Sequence, residues 1–402
     1  METGADPIIG GGAAESRPRT VLQVLPALET GGVERGAVDI ATAVAAAGWR
    51  ALVASSGGAM VRELVRAGAE HVTLPLARKS PFALRANVAP LAALIESEGV
   101  DIVHARSRAP AWSAYEAARR TGRPFVTTFH GTYNFGNSLK RWYNGVMARG
   151  DRVIAISDFI ADHVRRNYGV GDERLRMVPR GIDLEVFDPA RVNSERIVQL
   201  AGKWRLPDGV PVVMLPGRLT RWKGQAALID ALTVLGRRDV CCLLVGDDQG
   251  RRGYRKELEQ RIRTRGLDGV VHIVGHCDDM AAAYMLADAV VSASLDPEAF
   301  GRVAVEAQAM GRPTIVTDHG AARETVLAGE TGWLTPPGNA GALARALEEA
   351  LALDADARET LASRAMPRVR AKFSKQAMCD RTLAIYRELL DERATAGAAP
   401  AA

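Results

Sequence analysis

LRMVPRGIDLEVFDP, residues 175–189, is the stretch whose reading decides the fold. It carries Pro179, Gly181 and Pro189 within fifteen residues and reads as a linker. The chain on either side of it is built in the same way. Before it, VLQVLP (21–26), RALVASS (50–56), HVTLPL (71–76), DIVHARS (101–107), PFVTTFHG (124–131) and DRVIAIS (151–157) are short β-rich runs. Alanine-rich amphipathic segments separate them, the pattern of buried parallel strands with crossover helices. After it the pattern restarts with PVVMLPGRL (211–219), VCCLLVGDD (240–248), VVHIVGH (270–276), AVVSAS (289–294), PTIVTD (313–318) and GWLTPP (332–337). Each half is therefore an α/β unit, doubly wound and Rossmann-like, and two such units joined by a linker face a central cleft. Ligands in such sheets bind beyond the carboxyl ends of the strands, so both sets of strand-end loops are expected at that cleft. A last helical run, QAMCDRTLAIYRELLDE (376–392), has no strand after it and is expected to cross back onto the first unit. The expected organisation is a first domain over 18–185 completed by a helix over 374–392, and a second domain over 186–373. Disordered tails are expected over 1–17 and 393–402.

Composition agrees with two domains and narrows the partners. A chain of 402 residues exceeds one ordinary core. Its formal charge of +5 is mildly basic, but no compact Lys/Arg block with interleaved aromatics occurs, so nucleic acid is not an expected partner. A basic surface equally suits anionic lipid headgroups or phosphorylated substrates. Cys241 and Cys242 are adjacent in an apolar strand and should point to opposite faces. Cys277 and Cys379 complete the set, and without a C-x-x-C pair they read as buried thiols of a cytoplasmic protein. The first sixteen residues lack the basic and apolar regions of a secretory signal, and no apolar run reaches the ~20 residues of a membrane span.

The chemistry concentrates in DPEAFGRVAVEAQAMGRPTIVTDHGAARETV, residues 296–326. Glu298 and Glu306 stand eight positions apart across a loop-to-helix junction. The backbone N–H groups of Phe300, Gly301, Arg302 and Val303 open that helix and can receive phosphate. Gly301 permits close backbone approach. Glu306 can accept hydrogen bonds from ribose hydroxyls, and Glu298 can reach a sugar. Upstream, GRLTRWKG (217–224) supplies Arg218 and Lys223 at a strand end. Two cations for a diphosphate and two carboxylates for sugar hydroxyls describe a nucleotide-sugar site, in which fixed cations stabilise the leaving diphosphate.

The first half offers less specific features. ALETGGVERG (27–36) follows the first strand, and its Gly31 and Gly32 allow the backbone to approach the diphosphate or donor sugar; it is neither G-x-G-x-x-G nor a P-loop. His130 ends a strand and could bond a sugar hydroxyl, or be structural. His104 is similar, with Arg106 and Arg108 beside it as candidates for an anionic acceptor. Base recognition is expected around Gly275 and His276. His272 and His276 lack a third ligand, so they do not make a metal site. The one Asp-x-Asp pair, Asp354 and Asp356, reads as a helix start. No metal or other cofactor is expected; the nucleotide-diphosphate sugar is a co-substrate.

PEAFGRVAVEAQAMGRP, GRLTRWKG, GGVERG, VIAIS and VPRGID together resemble, in order and over roughly residues 21–390, the retaining glycosyltransferases of family 4 (group 1). The resemblance implies the two-domain GT-B fold and transfer with retention of configuration. It implies that Arg218 and Lys223 bind diphosphate, Glu306 the ribose and Glu298 the donor sugar, with His130 and the Gly31–Gly32 turn as first-domain contacts. Two positions depart from the family pattern: Ala299 stands where Gly is frequent, and Arg180 where Asn is commoner. The motifs look most like bacterial enzymes of lipopolysaccharide core or other surface-glycan synthesis. That implies a UDP- or GDP-sugar (GDP-mannose among them) as donor and a glycan or lipid-linked acceptor. The basic and aromatic segments ARKSPFALR (77–85) and NSLKRWYNGVMAR (137–149) could touch an anionic membrane from the cytoplasmic side, or be solvated helix faces. A nucleotide-sugar 2-epimerase and a non-enzymatic nucleotide-sugar sensor are the alternatives.

Overall fold

The computed structural model describes residues 17–29, 31–133 and 136–398. Of the tail expected at 1–17, residues 1–16 lie outside the described residues, and Arg17 corrects the expectation by pairing with Asp101 at 2.7 Å. Two parallel sheets carry the fold. The first contains β1 (Thr20–Val24), β2 (Arg50–Ser55), β3 (Glu70–Thr73), β4 (Ile102–Ala105), β5 (Phe125–Phe129), β6 (Arg152–Ala155) and β7 (Leu175–Met177), in the order 3-2-1-4-5-6-7. The second contains β8 (Val212–Pro216), β9 (Cys241–Val245), β10 (Val271–Gly275), β11 (Ala289–Ser292), β12 (Thr314–Thr317) and β13 (Trp333–Thr335), in the order 10-9-8-11-12-13. All twelve expected strands are present. The thirteenth corrects the linker reading: Leu175–Met177 pairs with β6 in register Val153↔Leu175 and becomes the sheet edge. Three residues ending before Pro179 are too few for periodicity to distinguish a strand from a loop, so the pairing partner decides.

Each sheet reverses its order at one point, between β1 and β4 in the first and between β8 and β11 in the second. At these switch points the flanking helices leave in opposite directions and open a crevice at the strand carboxyl ends. Strand β1 leads to the helix Gly32–Ala46 and β4 to Arg106; β8 leads to Arg218 and Lys223, and β11 to Glu298. Cys241 packs in one hydrophobic cluster and Cys242 in another, on opposite faces of β9.

The chain crosses between the domains twice, and the crossings touch. Ile182 and Ser374 form a parallel bridge, with Ile182 N–H donating to Phe373 O at 2.8 Å and Lys375 N–H to Ile182 O at 2.8 Å. A Cβ on Gly181 would lie 2.5 Å from Lys375 Cα, so only glycine lets the strands pass. The helix Lys375–Ala398 then lies on the first domain. Tyr386 Oη meets His104 Nδ1 at 2.6 Å, and Arg152 reaches Glu388 at 3.1 Å. This helix outruns the expected end at 392. Arg393 donates to Gly122 O at 2.7 Å and Thr395 Oγ1 to Asp391 O at 2.9 Å, ties that carry it beyond residue 392.

Asp39, on the helix Gly32–Ala46, faces the crossings. Burial pushes its carboxyl up to about 6, against the attraction of Arg35 and Lys375 and with repulsion from Asp183. A carboxyl that holds its proton more tightly folded than unfolded lowers stability as pH rises from its ordinary value to its folded one. Asp39→Asn is therefore expected to raise unfolding free energy at pH 7 by up to about 3 kcal/mol. The gain should vanish below about pH 4 in urea titrations, where both states are protonated.

Candidate active site

Lys223 and Glu298 meet across the switch point of the second sheet. Lys223 Nζ lies 2.7 Å from Glu298 Oε1, with side chains 14% and 17% exposed. Glycines permit the approach. Gly224 has φ +74° and a Cβ there would stand 1.8 Å from Ala293 O, so the Lys223 turn lies directly on the end of β11. Gly320 has φ +60° and a Cβ there would stand 2.4 Å from Glu298 O. Ser292 Oγ donates to Glu298 Oε1 at 3.2 Å, and Ser294 Oγ donates to the same oxygen. Burial pushes the Glu298 carboxyl up, but the Lys223 cation and the two hydroxyls outweigh it and hold the group below the ordinary carboxylate range. With three bonds on Oε1, the second oxygen remains for a sugar hydroxyl. The two serines are signalled in the sequence by their spacing: alternate residues of a strand share a side. His319, next to Gly320, also lines the small cavity beside Glu298, and neither of its ring nitrogens has a partner among the described residues. The sequence reading missed these three residues.

Gly301 caps the helix Arg302–Ala309 with φ +85°, and among the described residues no side chain caps that helix start. Glu306, 6% exposed, is held by its own helix and by its neighbour. Arg302 Nη2 reaches its Oε1 at 2.6 Å, and Tyr284 Oη donates to its Oε2 at 2.9 Å. A carboxylate has about four acceptor sites, so both oxygens can still receive ribose hydroxyls. Tyr284 is fully buried and was not legible as a site residue. The Phe300 side chain belongs to the core, edge-on to Phe373 at 5.6 Å. Only its backbone, with that of Val303, is placed at the helix start.

Arg218 is exposed and held only loosely, 3.5 Å from Gln249 Oε1, so its guanidinium is free to meet a diphosphate. Gly275 (φ +78°) and His276 end the edge strand β10, where His276 Nε2 meets Asp278 Oδ1 at 3.0 Å. Among the described residues no group of three or more His, Cys, Asp or Glu is arranged to hold a metal ion. Asp354 does start a helix, accepting from Ala357 N–H at 2.8 Å.

The first domain brings His130, Gly31 and Gly32 to the opposite wall. His130 is half-buried, with both ring nitrogens enclosed and unpartnered among the described residues. Burial and the nearby Arg106 and Arg180 cations hold its imidazole neutral, well below its ordinary value. His104 corrects the expectation of an anion contact: it is fully buried, clamped between Tyr386 and Thr128 Oγ1 at 2.7 Å, and serves packing. Arg108 bonds Asn144 at 2.9 Å and stacks over Tyr133. The domains are latched at this cleft. Ser157 Oγ donates to Ala299 O at 2.7 Å, and Glu324 accepts from the N–H groups of Asp158 and Phe159, each at 2.7 Å. A carboxylate from one domain thus caps a helix of the other.

Comparison with known proteins agrees with this architecture. The Glycosyltransferase Family 4 model matches residues 30–186 and the Glycosyl transferases group 1 model residues 199–367. A D-inositol 3-phosphate glycosyltransferase of Actinosynnema mirum is 30% identical over 92% of this chain and 91% of its own. Alignments with four others of that name, from Jonesia, Nocardiopsis, Xylanimonas and Arthrobacter, span only 59–65% of those relatives' length. Among solved structures, a glycosyltransferase from Rickettsia africae superposes with a TM-score of 0.87 at 37% identity, covering 93% of this chain and 99% of that one. HepE of Anabaena, solved in complex with UDP-glucose, gives 0.80 at 26% identity over 92% and 99%. With two parallel-sheet domains, a cleft between their switch points and relatives matched along nearly the whole length, the chain belongs to the family 4, group 1 glycosyltransferases of GT-B fold.

Proposed function

We propose that this protein transfers a sugar, with retention of configuration, from a nucleoside-diphosphate sugar to a glycan or glycolipid acceptor of surface-polysaccharide assembly. The observation that carries this reading is the Lys223–Glu298 pair at the second switch point, with Arg218 loose at its rim. When the donor is bound, Arg218 and Lys223 take the diphosphate, whose charge grows as the bond to the sugar breaks. Glu298 offers its remaining oxygen to the donor sugar, Glu306 binds the ribose, and the backbone at 275–276 and 300–303 receives base and phosphate. Neutral His130 meets a sugar hydroxyl from the opposite wall. No side chain is assigned as nucleophile, and the cations take the place of a metal.

The complex of HepE with UDP-glucose supports a UDP-sugar as donor, ahead of a GDP-sugar. For the acceptor, Phe82 and Trp142 are 87% and 57% exposed on helices that flank the helix Arg108–Arg120, with Arg78, Lys79, Arg85, Lys140 and Arg141 around them. Apolar rings set among cations suit an anionic lipid surface, so we place the protein peripherally on the cytoplasmic face of a membrane. Among the described residues no helix is long and apolar enough to cross one.

The test is a thermal-shift panel of UDP-, GDP- and ADP-sugars, followed by turnover of the best binder in EDTA. One donor class should raise the melting temperature, and acceptor-dependent release of its nucleoside diphosphate should survive chelation. Epimerisation of the donor without acceptor, or binding without turnover with any glycolipid extract, would replace this reading by an epimerase or a sensor.

A further inference from the structure

The wall opposite Glu298 holds two arginines that form no ion pair among the described residues. Gly32 and Gly36 lie one turn apart on the helix after β1, and their missing side chains form a strip against which two arginines lie. A Cβ on Gly32 would lie 2.9 Å from Arg180 Nη1. A Cβ on Gly36 would lie 2.9 Å from Arg106 Nη2 and 3.5 Å from Arg180 Nη2. Two guanidinium groups, delivered by the end of β4 and by the first domain crossing, thus lie within 3.5 Å of one point.

Like charges this close repel, and burial removes the water that would screen them. Arg106 is 4% exposed; its one side-chain partner among the described residues is the neutral Gln23 Oε1 at 3.1 Å, and its Nε has none. Neither arginine forms an ion pair with a carboxylate among the described residues, although Asp39 and Glu34 lie near enough to be felt. Burial, with Arg302 and Arg106 adding repulsion, pushes Arg180 down to about 9. The helix start at Gly32 adds its own positive end, offset in part by the first-turn Glu34 carboxylate, whose Oε2 would lie 2.2 Å from a Cβ on Gly31. His130 lines the same small cavity as Arg106, Thr128 and Arg180. A fold that buries two guanidinium groups together at a cleft, with nearby carboxylates but no ion pair among the described residues, is prepared for an anion.

We propose that Arg106 and Arg180, over the Gly32–Gly36 strip, form a phosphoryl subsite on the first-domain wall, and that the acceptor carries the phosphate bound there. The inference rests on the sugar-transfer reading for the word acceptor, but not for the subsite itself. The donor diphosphate has its own cations, Arg218 and Lys223, on the other domain. A phosphomonoester carries close to two negative charges and matches two guanidinium groups, whereas a carboxylate would neutralise half of them.

The test titrates full-length protein with inorganic phosphate in the presence of saturating UDP, by calorimetry. Phosphate is expected to bind the UDP-loaded protein, about tenfold or more tighter than acetate. Arg180→Gln should weaken phosphate by about tenfold or more and leave UDP affinity within about twofold, while Arg180→Lys, with charge but no fork, falls between. Arg180 is chosen over the buried Arg106 because it is only partly enclosed, and the Lys variant reports on folding. Displacement of phosphate by UDP, equal loss of UDP affinity in Arg180→Gln, an unchanged phosphate affinity in that variant, or acetate binding as tightly would each overturn the subsite. Absence of UDP binding would count against the transfer reading instead, and the phosphate titration of wild type against Arg180→Gln would then decide the subsite alone.

Discussion

Lys223→Ala should lower kcat by about 10²–10³-fold with a nucleotide-sugar donor, because the residue stabilises charge that develops on the leaving diphosphate. Steady-state rates, set beside UDP affinity from calorimetry, check this: a loss confined to affinity would mean that Lys223 binds the donor without acting on the transition state. The same substitution strands Glu298. The carboxylate is buried, and of its charge-stabilising contacts only Ser292 and Ser294 would remain. Removing one partner of a buried pair is expected to cost about 3 kcal/mol of stability at pH 7. The sign with pH follows from the lowered Glu298 value. Its ionisation contributes stability above the ordinary carboxylate pKa, and that contribution disappears as pH falls through the lower folded value. The stability gap between wild type and Lys223→Ala should therefore narrow in urea titrations as pH falls below the ordinary carboxylate range. A Lys223→Ala/Glu298→Gln double variant should be more stable at pH 7 than Lys223→Ala alone, since it leaves no unpaired charge.

Gly224→Ala should be nearly as damaging by a different route. The residue is held at φ +74° and its added Cβ would fall 1.8 Å from Ala293 O, inside contact distance with backbone that cannot turn away. Left-handed strain and overpacking together are expected to cost about 2–4 kcal/mol. Because relief requires the turn to lift from β11, Lys223 should move with it and activity should fall along with stability. Gly236 provides the comparison: its φ is +71°, but a Cβ there meets nothing within 4 Å. Gly236→Ala should cost only the backbone term, about 1–2 kcal/mol, with kcat unchanged. Equal effects at the two positions would remove the argument that Gly224 positions the lysine.

Much of the fold was legible because its signals are local. An apolar run of four to six residues bounded by glycine and proline is a strand whatever surrounds it, and twelve such runs in two series imply two doubly wound sheets. The exception, Leu175–Met177, is three residues long and acquires its strand character from β6. The site was legible in part for the same reason. Arg218, Lys223, Glu298 and Glu306 lie on short motifs at strand ends, and the sheets bring those ends together. Ser292 and Ser294 could have been added from their alternate spacing. Tyr284 and His319 could not, since nothing near them in sequence says that a carboxylate faces one and a cavity the other. His104 misled because a strand-end histidine beside two arginines looks like an anion contact until Tyr386, 282 positions later, closes over it.

By itself, then, the sequence determined two parallel-sheet domains, the order of their strands' appearance, and the motif residues that mark the donor side. Tertiary structure alone decided which groups share a point in space. Gly36, Arg106 and Arg180 come from three separate segments, and their convergence depends on strand order and on the chain crossing at Gly181, neither of which has a local sequence signal. Periodicity reports the burial of a face within one element, whereas the meeting of two unpaired guanidinium groups is a property of how elements are assembled.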